Sequence, residues 1–102
     1  MDRRRKSEIE RSAERTGEKT ESALIKTGFG VLTSILVITD GTNPATAMLW
    51  DNTAGSGKKL GEWTVPGASQ YGGRNWIFPP KFGVGLYLSL SGTGASAIVE
   101  YI

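Results

Sequence analysis

Alternation of apolar and polar residues dominates the last third of the chain. In "GLYLSLS", Leu86, Leu88 and Leu90 fall on one side and Tyr87, Ser89 and Ser91 on the other. A period of two is the signature of a strand with one buried face. "SAIVEYI" repeats it, with Ala97, Val99 and Tyr101 opposite Ile98, Glu100 and Ile102. "Gly92-Thr93-Gly94" separates the two runs, so they read as a hairpin. "ATAMLWD" sets Ala45, Ala47 and Leu49 against Thr46, Met48 and Trp50. "LGEWTVP" sets Leu60, Glu62 and Thr64 against Trp63 and Val65.

Other segments are less regular. "GVLTSILVITDG" is β-branched and apolar and stops at Asp40-Gly41, which makes it a strand followed by a turn. Its two registers are Val31, Thr33, Ile35, Val37, Thr39 and Leu32, Leu36, Ile38. The second is the more apolar, so it is expected to face the core. "TNPA" is a turn with Pro44 fixing φ, and "NTAGSGKK" is a loop. "GASQYGGRN" reads as a glycine-rich link and "WIFPP" as a short strand ended by two prolines. After residue 28 no segment of ten residues carries a 3.6-residue apolar period, so helices are not expected there. The prediction is all-β: six or so short strands in a small antiparallel β-sandwich or jelly-roll-like domain.

The beginning of the chain has no such pattern. Residues 1–22 contain only Met1, Ile9 and Ala13 as apolar residues, beside seven Lys/Arg and six Asp/Glu. The division expected is a charged N-terminal arm over residues 1–27 and a β-domain over residues 28–102. The arm is expected to be extended or partly helical, any helix falling at Glu8–Arg15, where mixed-sign pairs are worth about 0.2–0.5 kcal/mol each. It is either a solvated tail or a segment that orders on a neighbouring subunit. Its cations, Arg3, Arg4, Arg5, Lys6, Arg11 and Arg15, are the partner-binding residues expected.

Composition narrows the chemistry. The 102 residues include neither Cys nor His. That removes disulfides, thiolate metal sites and the commonest general base. The net charge of +2 is spread over both parts, with seven cations to six anions in residues 1–22 and five to four beyond. It is weak ground for nucleic-acid binding, although Arg3–Lys6 resemble a phosphate-contacting cluster. No apolar run nears the ~20 residues of a membrane span. No apolar stretch follows Arg3–Lys6, so a signal peptide is not expected.

The remaining candidates are few. Asp40 and Asp51, in "TDGTN" and "WDNTAGSG", are either paired carboxylates for acid–base work or Ca2+, or ordinary turn formers. Gly55-Ser56-Gly57-Lys58-Lys59 looks like a phosphate loop but lacks the spacing of one. Ser34, Ser56 and Ser69 have no His to activate them. Trp50, Trp63, Trp76, Tyr71, Phe78, Phe82, Tyr87 and Tyr101 are either a sugar-binding platform or core and contact residues. No catalytic residue, metal ligand or cofactor is expected, and the protein is not expected to be an enzyme.

Several motifs together resemble a known group. They are Leu49-Trp50-Asp51-Asn52-Thr53, Gly55-Ser56-Gly57, Phe82, Gly85-Leu86-Tyr87 and Gly92-Thr93-Gly94. Over about residues 28–102 the chain resembles small β-domains of tailed-bacteriophage virions. The resemblance implies a non-enzymatic structural protein, first of all a capsid decoration (cement) protein that binds and stabilises the outer shell. It implies the major capsid protein or other virion proteins as partners, and a small homo-oligomer such as a trimer. The expected location is the virion, with assembly in the host cytoplasm. A neck, tail or head-fibre component is the alternative within the group. A host-surface carbohydrate-binding module is the alternative outside it.

Overall fold

Leu86 and Leu88 are fully buried and Leu90 packs beside them, as their alternation requires. They lie on a strand at the heart of one of two antiparallel sheets. The computed structural model describes residues 14–102. The strands are β1 Glu14–Arg15, β2 Ala23–Thr27, β3 Gly30–Ile38, β4 Ala45–Asp51, β5 Lys58–Val65, β6 Tyr71–Asn75, β7 Lys81–Phe82, β8 Gly85–Ser91 and β9 Ser96–Tyr101. There is no helix among the described residues.

One sheet has the order β1-β9-β3-β6, with β7 also paired to β3, and the other β2-β8-β4-β5. The chain crosses between the sheets after β1, β2, β3, β5, β7 and β8. That is the winding of an eight-stranded jelly roll, in which closing one layer over the other buries both inner faces. The core holds Leu32, Ile35, Val37, Ala45, Ala47, Leu49, Val65, Phe82, Leu86, Leu88, Ala97 and Val99. Trp63 and Trp76 pack against it from β5 and the end of β6, with ring centroids 5.4 Å apart and planes at 77°. This edge-to-face pair closes the side of the sandwich where the two sheet edges approach.

The parity of β3 differs from the expected one. Leu32 faces inward, but so do Ile35, Val37 and Thr39, while Leu36 is 37% exposed. The cause is a β-bulge. Leu32 pairs with Tyr101 and Ser34 with the next residue back, Glu100. Two residues of β3 therefore advance against one of β9, and side chains beyond Thr33 exchange faces. A second bulge separates Leu49↔Gly61 from Trp50↔Lys59 and lets Leu60 join Trp63 against the core. "LGEWTVP" thus does not keep the strict alternation expected of it.

Two other expectations are corrected. "YGGRN" is a strand, paired in register with β3 from Ser34↔Asn75 to Ile38↔Tyr71. "WIFPP" is a loop between β6 and β7, held by Trp76 N–H donating to Thr33 O (3.3 Å) and Leu32 N–H donating to Pro80 O (2.9 Å). The prolines leave few amide protons for a ladder, and the supporting bonds come from β3 instead.

The domain also begins earlier than residue 28. The β2 strand pairs with β8, and Ile25 packs on the core. Residues 14–19 run along β9: Glu14↔Tyr101, Arg15↔Glu100 and Lys19↔Ala97. Glu14 and Arg15 are therefore strand, the extended alternative rather than the local helix; Glu8 to Ala13 lie outside the described residues. Tertiary pairing overrides the weak local preference, because β9 offers unpaired carbonyls and amides. Thr16 N–H donates to Val99 O (2.9 Å), Val99 N–H to the Thr16 hydroxyl (2.9 Å) and Leu90 N–H to the Ser22 hydroxyl (2.9 Å).

A pair of truncations tests this boundary. Removing residues 1–13 should leave thermal unfolding unchanged. Removing residues 1–22 strips these bonds from β9 and β8. With each worth a net ~1 kcal/mol against the ordering cost of the segment, a loss of about 1–3 kcal/mol is expected. Equal melting temperatures for the two truncations would show that residues 14–22 add nothing to the fold.

Candidate assembly surfaces

Of the six cations expected to contact a partner, Arg3, Arg4, Arg5, Lys6 and Arg11 lie outside the described residues. Arg15 is on β1, and its guanidinium is engaged within the chain. Nη2 and Nε donate to Glu100 Oε2 at 2.6 and 3.1 Å. The side chain stays 70% exposed, so this pair adds little stability and chiefly fixes the start of β1 on β9.

The two loop aspartates do not meet. Asp40 precedes β4 and Asp51 ends it, so the seven-residue strand sets them roughly 20 Å apart. Each organises a turn. Asp40 Oδ1 accepts from the N–H of Thr42 (2.8 Å) and Asn43 (2.7 Å), and Oδ2 from Asn43 Nδ2 (2.8 Å). Those bonds, led by the Asn43 amide, hold its carboxyl below the usual 3.8. Asp51 reaches the β7–β8 turn, where Oδ1 accepts from Val84 N–H (2.8 Å) and Gly83 N–H (3.0 Å). The Val84 amide, with Gly83, Gly85 and the Lys58 charge behind it, depresses this carboxyl too, against a smaller opposing effect of burial. Among the described residues no group of three or more acids gathers as a metal site would need.

A pH test follows from Asp51. A depressed folded-state pKa contributes stability that is complete above the unfolded value near 3.8 and fades as pH falls through the folded value. Asp51→Asn leaves the turn amides with a weaker acceptor and should cost about 1–2 kcal/mol at neutral pH. The gap between wild type and variant should close below pH 3.8. A gap that is constant down to pH 2.5 would show that the charge on Asp51 does not support the turn.

The glycine-rich "NTAGSGKK" loop is folded on itself. Asn52 Nδ2 donates to Ser56 O (2.8 Å), Thr53 N–H donates to Asn52 Oδ1 (2.7 Å), and Gly57 has φ of 92°. A strand follows it, so no helix terminus is offered to a phosphate. Lys59 bonds Glu62 at 2.9 Å and lies 5.3 Å from the centre of the Trp50 ring. Ser34 is on the outer face of β3, Ser56 is in the loop, and the Ser69 carbonyl accepts the Thr39 hydroxyl at 2.9 Å.

The aromatic side chains do not form one platform. Phe82 is buried, and Trp63, Trp76 and Tyr101 pack against the core. Trp50 donates Nε1–H to the Ser89 hydroxyl at 3.0 Å. Tyr71 is 69% and Phe78 89% exposed, but they flank opposite ends of β6. What the surface does show is a concentration of apolar side chains at one end of the sandwich. Phe29, in the β2–β3 turn, is 83% exposed. Val84, in the β7–β8 turn, is held against the first turn by Gly28 N–H donating to Val84 O (2.9 Å). Ile102 pairs with Val31 beside them through bonds of 2.8 and 3.0 Å. These three were missed in the sequence. The signal for Phe29 was an aromatic residue between two glycines, outside any alternating run.

The outer face of the β2-β8-β4-β5 sheet contrasts with this end. Thr46 bonds Thr64 at 3.0 Å, Trp50 bonds Ser89 and Lys59 bonds Glu62. Its polar groups satisfy one another. No protein-family model, curated protein or solved structure matches the chain.

Proposed function

We propose that the protein is a non-enzymatic structural component of a tailed-phage virion, a capsid decoration (cement) protein. In this reading it assembles in the host cytoplasm as a small homo-oligomer, binds the major capsid protein on the outer shell and stabilises that shell. The motif resemblance over residues 28–102 supplies the family. The observation that carries the reading is the exposure of Phe29 (83%), Ile77 (90%) and Phe78 (89%) on a sandwich whose described buried side-chain polar atoms all have hydrogen-bond partners. Large apolar side chains left in water favour association, and a lattice of identical subunits rewards weak contacts repeated many times. The charged arm supplies a second attachment. Arg3–Lys6 and the acids that follow suit patches of either sign, through exposed pairs worth about 0–1 kcal/mol each.

Co-sedimentation with empty shells of the parent phage tests this. The full chain should bind and should raise the temperature at which the shells disrupt. A chain lacking residues 1–13 should bind more weakly, and the salt dependence should flatten when Arg3, Arg4, Arg5 and Lys6 become Ala. Failure of the full chain to bind shells, with binding to tails, necks or fibres, would move the protein to that station. Binding to host glycans alone would replace the structural reading with a carbohydrate-binding one.

A further inference from the structure

A hollow of about 460 Å3 opens at the end of the sandwich that carries the β2–β3 turn. Its walls are apolar: Phe29, Val31, Phe82 and Ile102. Its rim is basic: Lys26 and Lys81. Lys26 Nζ lies 6.0 Å from the centres of both the Phe82 and Tyr101 rings and donates to Ile102 O at 3.5 Å. The described ion pairs, Arg15–Glu100 and Lys59–Glu62, involve neither rim lysine. An apolar cup ringed by cations fits an apolar side chain with a carboxylate on either side of it.

We infer that this occupant is the chain's own N-terminal segment, with Ile9 in the cup and Glu8 and Glu10 beside the lysines. Strand register brings the segment to the place. β1 runs antiparallel to β9 with Glu14 opposite Tyr101. One more step of that ladder sets residue 13 opposite Ile102, a wall of the hollow. Ile102 is in turn bonded to Val31 through both of its backbone groups, at 2.8 and 3.0 Å. Two strand spacings, roughly 10 Å, therefore separate residue 13 from Val31. The four residues from 13 back to Ile9 reach about 13 Å when extended, enough to cross. Charge selects which residue arrives. The apolar residues ahead of Glu14 are Met1, Ile9 and Ala13. Met1 is followed closely by Arg3, Arg4, Arg5 and Lys6, whose cations would face Lys26 and Lys81, whereas Ile9 lies between two glutamates. Burying one isoleucine is offset by ordering the residues that carry it, so the docked form exchanges with a free one and removal of residues 1–13 leaves melting unchanged. Arg3–Lys6 then lead away from this end, and Ile77 and Phe78, outside the hollow, stay open to a partner. The inference concerns the single chain and holds with or without a shell.

The test uses the full-length chain carrying a nitroxide label at Ser7→Cys, a single attachment point in a sequence without cysteine. In two-dimensional amide spectra the signals of Phe29, Gly30 and Ile102 should lose most of their intensity relative to the reduced label. Those of Gly92 and Gly94, at the other end of the sandwich, should lose none. Tethering alone brings the label toward the hollow, so the deciding comparison is with variants of the segment. Ile9→Ser should restore most of the lost intensity, and Glu8→Gln with Glu10→Gln should restore part of it. These changes lie ahead of the first strand, so the domain stays folded. Full broadening retained in either variant would overturn the inference, because it would show proximity without docking. A second sample mixes isotope-labelled wild type with spin-labelled chain that carries no isotope. No broadening is expected there. Loss of the Phe29 and Ile102 signals in that mixture would show that the segment of another copy fills the hollow, and would overturn the inference too. Neither outcome alters what is expected of binding to shells.

Discussion

Leu88→Ala should lower the stability of the domain by about 2–5 kcal/mol, the cost of losing a buried leucine together with the cavity it leaves. Leu88 is fully buried. It sits on β8 between Ala23 of β2 and Leu49 of β4, its cross-strand neighbours. The inner faces of these strands are built from small residues: Ala45 and Ala47 beside Leu49, and Ala95 and Ala97 across the sandwich beside Val99. Alanines cannot swing into a vacated space, so the cavity should persist and the cost should fall in the upper part of the range. A domain of this size has only about 5–15 kcal/mol in total. Chemical denaturation with circular dichroism and tryptophan fluorescence is the measurement. A variant with an unchanged midpoint and slope would mean that Leu88 does not occupy the core.

The same residue shows why part of the fold was legible from sequence. In "GLYLSLS" every second position is leucine and the others are Tyr or Ser, so only one face can be buried, and β8 buries it. β4 and β9 are equally plain. Punctuation was legible where geometry demands glycine: Gly92 and Gly94 have φ of 114° and 71° between β8 and β9. β6 was not legible, because two glycines in "YGGRN" carry no pattern and its place is set by the free edge of β3. Residues 14–27 were misassigned for a related reason. Their charges mark a solvated face, yet an edge strand needs only its backbone to pair, and β8 and β9 supply the partners. The turn role of Asp51 was half visible. "WDNT" suggests a turn former, but the amides it holds belong to Gly83–Gly85, more than thirty residues away, and no local signal names them. Of the exposed apolar surface, Phe78 was among the aromatics picked out, whereas Phe29 became notable only when β2 and β3 placed its turn beside Val84 and Ile102.

The bulge in β3 makes the sharpest claim about this chain, since it reverses which residues of "TSILVI" lie inside. Val37→Asp should abolish folding of the isolated domain, whereas Leu36→Asp one position away should leave it folded. Val37 is fully buried opposite Ala97, with no polar group facing it in the core cluster. A carboxylate there must either remain charged in an apolar interior or take up a proton at neutral pH, and either course costs several kcal/mol. Leu36 is 37% exposed on the outer face, beside Ile98 and Gly73. An aspartate at that position keeps its hydration and loses only modest contact, a change expected to stay below about 1 kcal/mol. Without the bulge the parity of Leu32 would continue along the strand and the two outcomes would exchange. The pair therefore tests strand register rather than tolerance to charge in general. Soluble yield and two-dimensional amide spectra of both variants decide it: a dispersed spectrum for Val37→Asp with a collapsed one for Leu36→Asp would place Leu36 and Ile38 in the core and remove the bulge.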